Sequence, residues 1–279
     1  MEKVSIYIPA YNAEETIEKS LNSIFAQTMA FDEVIVINDF SKDNTLKIVE
    51  QYKDVKIINN IKNEGLSFCR NKGIELSRNN LVAAIDADVI LDQSWLENII
   101  KNFRDNIVMC GGSMMEKYSK NKFNEWRALY YSQNWGDNNL KNPPFLFGCN
   151  TIQKKDIWIK VNGYDVKFKT NGEDVDYSNK IRNIGFDIFY CKTSKCYHLQ
   201  NDNLETLTKR VWRYHSYGYK IKNPSFLRFL KLTTKQIKFC FKRIFKEILN
   251  FNFKFIFINL IVLLNFIKFE YENIKNKNI

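Results

Sequence analysis

At 279 residues, 45% of them hydrophobic and 15% aromatic, the chain is long enough for one large α/β domain or a domain with an appendage, and can bury a substantial core. Its net charge of +11 is concentrated: residues 209–254 hold 13 Lys or Arg against one acid, Glu247, whereas residues 1–208 hold 26 basic and 28 acidic residues. That distribution excludes a globally basic nucleic-acid binder and assigns the basicity to a C-terminal arm.

The chain opens MEKVSIYIPAYN, strand-like by its fifth residue and with no basic, apolar, small-residue leader, so a cytoplasmic location is expected. The six cysteines are scattered, form no C-x-x-C pair and read as reduced, buried thiols. Val4 to Asn12 alternates as a strand that Pro9 is expected to end, and Ala13 to Gln27 follows as a helix with Ile17, Leu21, Ile24 and Phe25 at helical spacing. Val34–Ile37 reads as a buried strand, Leu46–Tyr52 as a helix and Val55–Asn60 as a third strand. A glycine turn and a helix to about Leu76 precede the apolar run Leu81–Ile85, a fourth strand. Strands alternating with helices predict a mostly parallel sheet covered on both faces, whose ligands bind beyond the carboxyl ends of the strands. Asn12, Asp39, Asn63, Asp86 and Asp88 all fall at such ends and read as a ligand-binding rim. Asp86 and Asp88, one residue apart after the fourth strand, suit a divalent cation that also holds a phosphate; an acidic turn is the plainer alternative.

The pieces PAYNAEETI, INDFSKDNT, NEGLSFCRNKGI, AIDADVILD, FGCNTIQKKDI, NGYD and NGEDVDYSNKIRNIGF occur in this order. Together they resemble the family 2 glycosyltransferases over about residues 3–220. The resemblance implies an α/β GT-A fold, a Rossmann-like sandwich with a mostly parallel central sheet, and an inverting, nucleotide-sugar-dependent enzyme using Mn²⁺ or Mg²⁺. It divides residues 1–220 into a nucleotide-binding half (1–110) and an acceptor-binding and catalytic half (111–220).

The resemblance also implies residue roles. Asp39 would accept from uracil, with Pro9, Ala10 and Tyr11 packing the base and Asn12, Glu15, Asn63 and Gly65 on the donor side. The chain departs from the common Asp-Asp-Gly-Ser pattern by reading Asn38-Asp39-Phe40-Ser41, which keeps the second Asp and with it the base contact, and puts Phe40 in the pocket wall in place of glycine. Arg70 would meet the diphosphate, a surface ion pair being the alternative. Asp88 would ligate the metal and Asp86 assist it. His198 is a third metal ligand or a core histidine. Gly148, Asn150 and Glu173 would shape the sugar pocket. Trp126 and Trp135 lie in an aromatic-rich stretch that reads as acceptor-binding surface or as core. Asp174 would be the general base, with a helix N-terminal cap as the structural alternative; a single carboxylate base implies one displacement and inversion. The helix it opens would face inward with Val175, Ile181 and Ile184 and end at Gly185. Arg210 and Arg213, in the segment Lys209–Tyr219, would reach the diphosphate.

In residues 221–279, Phe226, Leu230, Ile237, Phe241, Ile244 and Ile248 share one helical face, with Arg228, Lys231, Lys235, Lys238, Lys242 and Lys246 on the other. Phe251–Ile267 is more apolar but short for a bilayer crossing. Residues 226–267 are therefore expected to lie against the inner face of the plasma membrane, packing on the domain or in a homodimer being the alternative. The expected partners are a nucleoside diphosphate sugar, UDP by preference, and a glycan or lipid-linked hydroxyl acceptor, without nucleic acid. A sugar nucleotidyltransferase would need a Gly- and Arg-rich loop after the first strand, which PAYNAEET lacks. A non-catalytic nucleotide-sugar or glycan-binding protein on the same fold is the alternative from another class.

Overall fold

The computed structural model describes residues 2–104, 106–118, 121–216, 225–251 and 253–275. In chain order the first elements are β1 (Val4–Ala10), α1 (Ile17–Phe25), β2 (Glu33–Asn38), α2 (Thr45–Val49), β3 (Val55–Asn59), α3 (Leu66–Leu76), β4 (Leu81–Ile85) and β5 (Val89–Leu91). There follow α4 (Trp95–Ile100), β6 (Ile107–Glu116), α5 (Lys122–Tyr130), β7 (Leu140–Lys141), β8 (Asn150–Lys154) and α6 (Lys155–Lys160). The last are α7 (Glu173–Asn183), β9 (Asp187–His198), α8 (Leu204–Ser216), α9 (Phe226–Leu249) and α10 (Ile256–Lys275). They form two compact units, Met1–Lys117 with Ser132–Gln200, and Tyr118–Tyr131 with Asn201–Ile279. The expected boundary at 220/221 and the end of the Lys209–Tyr219 segment fall outside the described residues.

The first unit is a single sheet in the order β3-β2-β1-β4-β8-β6-β9-β5, with β7 beside β9. Strands β1 to β4 are mutually parallel, as their continuous apolar runs require of strands covered on both faces. β8 runs antiparallel to both β4 and β6, while β6 and β9 are parallel. The chain winds outward from β1 to β3 and then returns to lay β4 on the other side of β1. The switch point, and with it the ligand crevice, therefore lies beyond the carboxyl ends of β1 and β4.

Pro9 does not end β1. The pairing of β1 with β4 stops at Tyr7↔Ala84, whereas pairing with β2 runs on to Ala10↔Asn38. The missing N–H of Pro9 thus falls where the ladder on one side has already opened. α1 begins at Ile17, four residues later than expected, because Ala13–Thr16 form a turn. Phe25 stacks on Tyr52 at the surface instead of entering the core. In α7 only Ile181 of the three expected inward residues is buried. The inner face is Glu173, Tyr177, Ser178 and Ile181, a run at i, i+4, i+8 that carries a carboxylate inward. Gly185 does close this helix, at φ 86° with its N–H on the Arg182 carbonyl.

The second unit is helical. Trp126, Leu207, Val211, Phe255, Ile258 and Val262 form its apolar core. α9 does not pack on its unit through the apolar stripe of its sequence, which was the alternative to a membrane-facing helix. The buried side holds Leu232, Thr233, Gln236, Cys240 and Glu247, while Phe226, Leu230, Phe241 and Ile248 are exposed. Polar pairing causes the rotation. Glu247 accepts the Tyr130 hydroxyl, Asn259 accepts the Trp126 indole N–H (3.0 Å), and Glu270 accepts that of Trp212 (3.0 Å). Among the described residues, no helix is long and apolar enough to cross a membrane.

Candidate active site

Three strand ends and one helix start build the rim. The β1 end carries Tyr11, half exposed, and Asn12 at φ 49°; the β2 end carries Phe40 at φ 65°. Left-handed conformations at non-glycine residues cost on the order of 1–2 kcal/mol each and concentrate where a site demands them. The Phe40 conformation explains why a glycine is at home at this position. The two loops are hooked together: the Asn12 N–H donates to Ser41 Oγ (3.1 Å), and Asn12 Oδ1 accepts from the Lys42 N–H (2.8 Å). Glu14, not Glu15, takes part, accepting from the Asn44 backbone (2.9 Å); Glu15 is exposed.

Asp39 is buried, and its carboxylate organises the neighbouring loop. It accepts from the Asn60 side chain (2.8 Å) and the backbone N–H groups of Glu64 and Gly65 (2.9 Å each). Gly65 adopts φ 92° and opens α3, while Asn63 is exposed beside it.

Asp86 and Asp88 follow β4 in a tight turn, with the Val89 N–H on the Asp86 carbonyl (3.1 Å), rather than in extended chain. Both side chains remain about three-tenths exposed. Arg70, expected at the diphosphate, lies beneath this floor and is 1% exposed. It donates to the Gly148 carbonyl (2.7 Å) and to Asp86 (3.0 Å), and its Nε stands 3.4 Å from Glu173. A Cβ at Gly148 would come within 3.1 Å of the guanidinium carbon, so glycine there lets the arginine lie flat. Burial works against its charge, but Asp86 and Glu173 outweigh that and hold the guanidinium protonated more firmly than usual. Burial, opposed by Arg70, also lifts the Asp86 carboxyl above its ordinary range.

Glu173 and Asp174 begin α7 and diverge. Glu173, buried, is pushed up to about 8 by burial and then by the Asp174 charge, with Arg70 opposing. Asp174 is raised by burial, with Arg70 and the backbone N–H groups of Val175 (2.8 Å) and Gly148 (3.4 Å) opposing. Asp174 is thus an N-terminal acceptor and a site-facing carboxylate at once. Glu173 gives a pH prediction. In the unfolded chain it titrates near 4.5, in the fold near 8. Its proton stabilises the fold fully below about 4.5, and that contribution disappears as pH rises through 8. Unfolding in denaturant is expected to show wild type losing on the order of 3 kcal/mol between pH 5.5 and 8.5 through this group. Glu173→Gln should flatten that slope; an unchanged slope would rule the titration out.

His198 ends β9. Its Nε2 lies 3.2 Å from Asp88 Oδ2 and its Nδ1 3.6 Å from Glu116. Burial works to lower its pKa, but Asp88 and Glu116 hold it up at about 9. Glu116 is the residue the sequence did not reveal. It is the cross-strand partner of His198 in the β6–β9 register, and register is set by pairing that no local pattern encodes. Hard carboxylate oxygens with one imidazole are a donor set that fits Mn²⁺ or Mg²⁺, and a carboxylate behind the imidazole is the usual support for a ligating histidine. Among the described residues, no group of three or more His, Cys, Asp or Glu side chains is placed to hold a metal ion by itself.

Trp135 stacks on Phe147 (5.6 Å between rings) and donates to the Phe145 carbonyl, forming an aromatic wall that leads directly to Gly148. Asn150, expected in the sugar pocket, is buried in β8, where it accepts the Trp95 indole N–H (2.6 Å). Trp126 is fully buried in the helical unit, so its surface serves packing. Arg210 and Arg213 belong to α8 of that unit, where Arg210 lies 3.3 Å from Asp202.

The model of glycosyl transferase family 2 matches residues 5–161. Poly-beta-1,6-N-acetyl-D-glucosamine synthase of Staphylococcus aureus is 27% identical over 243 residues, covering 83% of this chain. Glucosyl-dolichyl phosphate glucuronosyltransferase of Haloferax volcanii is 25% identical over 176 residues, covering 58% of it. The chain spans 58% and 56% of the lengths of these curated relatives. Among solved structures, the mannosyltransferase PcManGT of Pyrobaculum calidifontis in complex with GDP-Man and Mn²⁺ superposes with a TM-score of 0.61 at 19% identity, over 78% of this chain and 63% of that one. S. aureus TarS 1–349 in complex with UDP-GlcNAc does so with 0.55 at 19%, over 76% and 64%. The sheet is thus that of the GT-A glycosyltransferases, and the chain, matched over more than half its length by the family model, belongs to glycosyl transferase family 2.

Proposed function

We propose that the protein is a metal-dependent, inverting glycosyltransferase that moves a sugar from a nucleoside diphosphate, UDP by preference, to a hydroxyl of a growing glycan or lipid-linked acceptor. One observation carries this reading. The Asp86–Asp88 turn at the switch point and the Asp174 carboxylate are tied into a single floor by Arg70, Gly148 and Glu173. Relatives named for transfer of N-acetylglucosamine and glucuronic acid, and neighbours holding UDP-GlcNAc or GDP-Man with Mn²⁺, support the donor class.

Asp88, Asp86 and His198 would hold the cation, whose chemistry when bound would be neutralisation of charge on the leaving diphosphate. Asp174 takes the proton of the acceptor hydroxyl as that oxygen bonds to the anomeric carbon. The bond from that carbon to the diphosphate breaks, and its electron pair leaves with the nucleoside diphosphate. One displacement inverts the carbon. The Trp135–Phe145–Phe147 wall offers aromatic faces for the acceptor. The exposed apolar and basic helices of the second unit support contact with the anionic inner membrane surface.

The test is release of nucleoside diphosphate from UDP-, GDP- and dTDP-sugars, with and without Mn²⁺ or Mg²⁺, with membrane lipid extract as acceptor. Metal-dependent turnover of one donor is expected, and at least a hundredfold loss in Asp88→Ala. Donor binding without turnover would favour a binding protein on this fold. No metal-assisted donor binding would overturn the reading.

A further inference from the structure

The helical unit turns large apolar side chains outward around one turn. Inside, beside Leu232, Ile258, Val262 and Phe266, α9 and α10 bury the polar Gln236, Glu247, Asn259 and Glu270. Outside, Phe241, Phe245, Leu249, Phe251, Phe253 and Phe257 are each at least 60% exposed, all within 17 residues about the α9–α10 connection. Lys242 and Lys246 are exposed among them. Water-facing helices place these residue types the other way round.

Phe251 sharpens the case. It follows the last residue of α9 by two positions, at φ 50°, and is 86% exposed. That left-handed position after a helix end is normally taken by glycine or asparagine, which avoid the steric conflict. The backbone here is strained, and the side chain it carries is left almost wholly outside the fold. A bulky apolar side chain held outward at a cost calls for an apolar medium.

We propose that the α9–α10 turn is a membrane-inserting tip, Phe251 and Phe253 entering the acyl boundary of an anionic bilayer while Lys242 and Lys246 meet the headgroups. The proposal rests on the membrane contact put forward above and names the element that makes it. Charge complementarity selects the occupant. A second copy would set the same lysines against themselves, and the run of exposed apolar side chains along both helix ends matches the acyl boundary of an anionic bilayer.

The experiment uses the full chain and sedimentation with vesicles of phosphatidylcholine alone or with one quarter phosphatidylglycerol. Wild type, Phe251→Gly, Phe251→Gly/Phe253→Ser and, at the far end of α9, Leu227→Ser are compared, together with their melting temperatures and light scattering. Wild type is expected to prefer the anionic vesicles. Phe251→Gly should bind them about tenfold more weakly, the double variant weaker still, and Leu227→Ser within threefold of wild type. Phe251→Gly should melt no lower than wild type, because glycine relieves the strain, so a loss of binding cannot be laid to unfolding. Wild-type binding that survives in both tip variants would overturn the tip and leave the membrane contact standing. No binding of wild type to either vesicle would overturn both. Lipid-free self-association abolished by Phe251→Gly would identify a second copy as the partner and overturn the proposal.

Discussion

Asp174→Asn is expected to lower kcat for sugar transfer by about 10²–10⁴-fold, with donor affinity within a few-fold of wild type. The asparagine keeps the shape and one carbonyl oxygen, enough to go on accepting from the Val175 N–H, while the longer bond from the Gly148 N–H to the other oxygen is given up. The helix start is therefore retained, and with only the weaker 3.4 Å bond lost the melting temperature should stay within a few degrees. What is lost is an anionic oxygen to take the acceptor proton. Burial raises the Asp174 carboxyl, while Arg70 and the two backbone donors restrain the rise. A carboxylate lifted within that limit is a stronger base than a free one. Steady-state kinetics with donor held saturating, alongside donor binding measured directly, separates the two effects. Equal loss of donor affinity and turnover would assign Asp174 to donor binding, and unchanged turnover would remove it from the chemistry.

How far the sequence carried this reading depended on the range of the interactions involved. Buried strands and the helix connections between them are local patterns, and they placed the switch point, Asp86, Asp88 and Asp174 correctly at strand and helix ends. Asn150 and Trp126 read as site residues because their neighbours in sequence did, yet each is buried by a partner far away in the chain, Trp95 and Asn259. Glu116 was illegible for the same reason, since only the β6–β9 register brings it to His198. α9 was legible only in part: its apolar stripe, expected against a membrane surface, is not its buried face, which Leu232, Thr233, Gln236, Cys240 and Glu247 make, and the polar pairing on that face is set by partners far away in the chain. Glu173 was legible in principle. Its i+4 and i+8 neighbours, Tyr177 and Ile181, carry it inward, and that spacing is printed in the chain.

Arg70 shows why this last point matters for stability as well as for chemistry. Arg70→Met is expected to destabilise the first unit by about 3–5 kcal/mol at pH 8, the usual consequence of removing one partner from a buried charged network. Methionine fills much of the volume and spans the same depth, so packing alone would forfeit far less. The loss is electrostatic: Gly148 loses the donor to its carbonyl, and Asp86 and Glu173 lose the cation between them. Without that cation the Glu173 carboxyl, already held near 8, rises further, and the folded state then binds its proton more tightly than the unfolded chain over a wider range. Stability should therefore fall more steeply with pH than in wild type, and the variant should recover part of its deficit at pH 6, where Glu173 is protonated in the fold. Arg70→Met/Glu173→Gln should remove that extra slope and regain some stability at pH 8, because the buried group it leaves is neutral. Denaturant unfolding of wild type and both variants at pH 6 and pH 8 tests this. Arg70→Met with wild-type stability and a loss confined to donor affinity would return the arginine to the diphosphate and deny it the role of a buried strut.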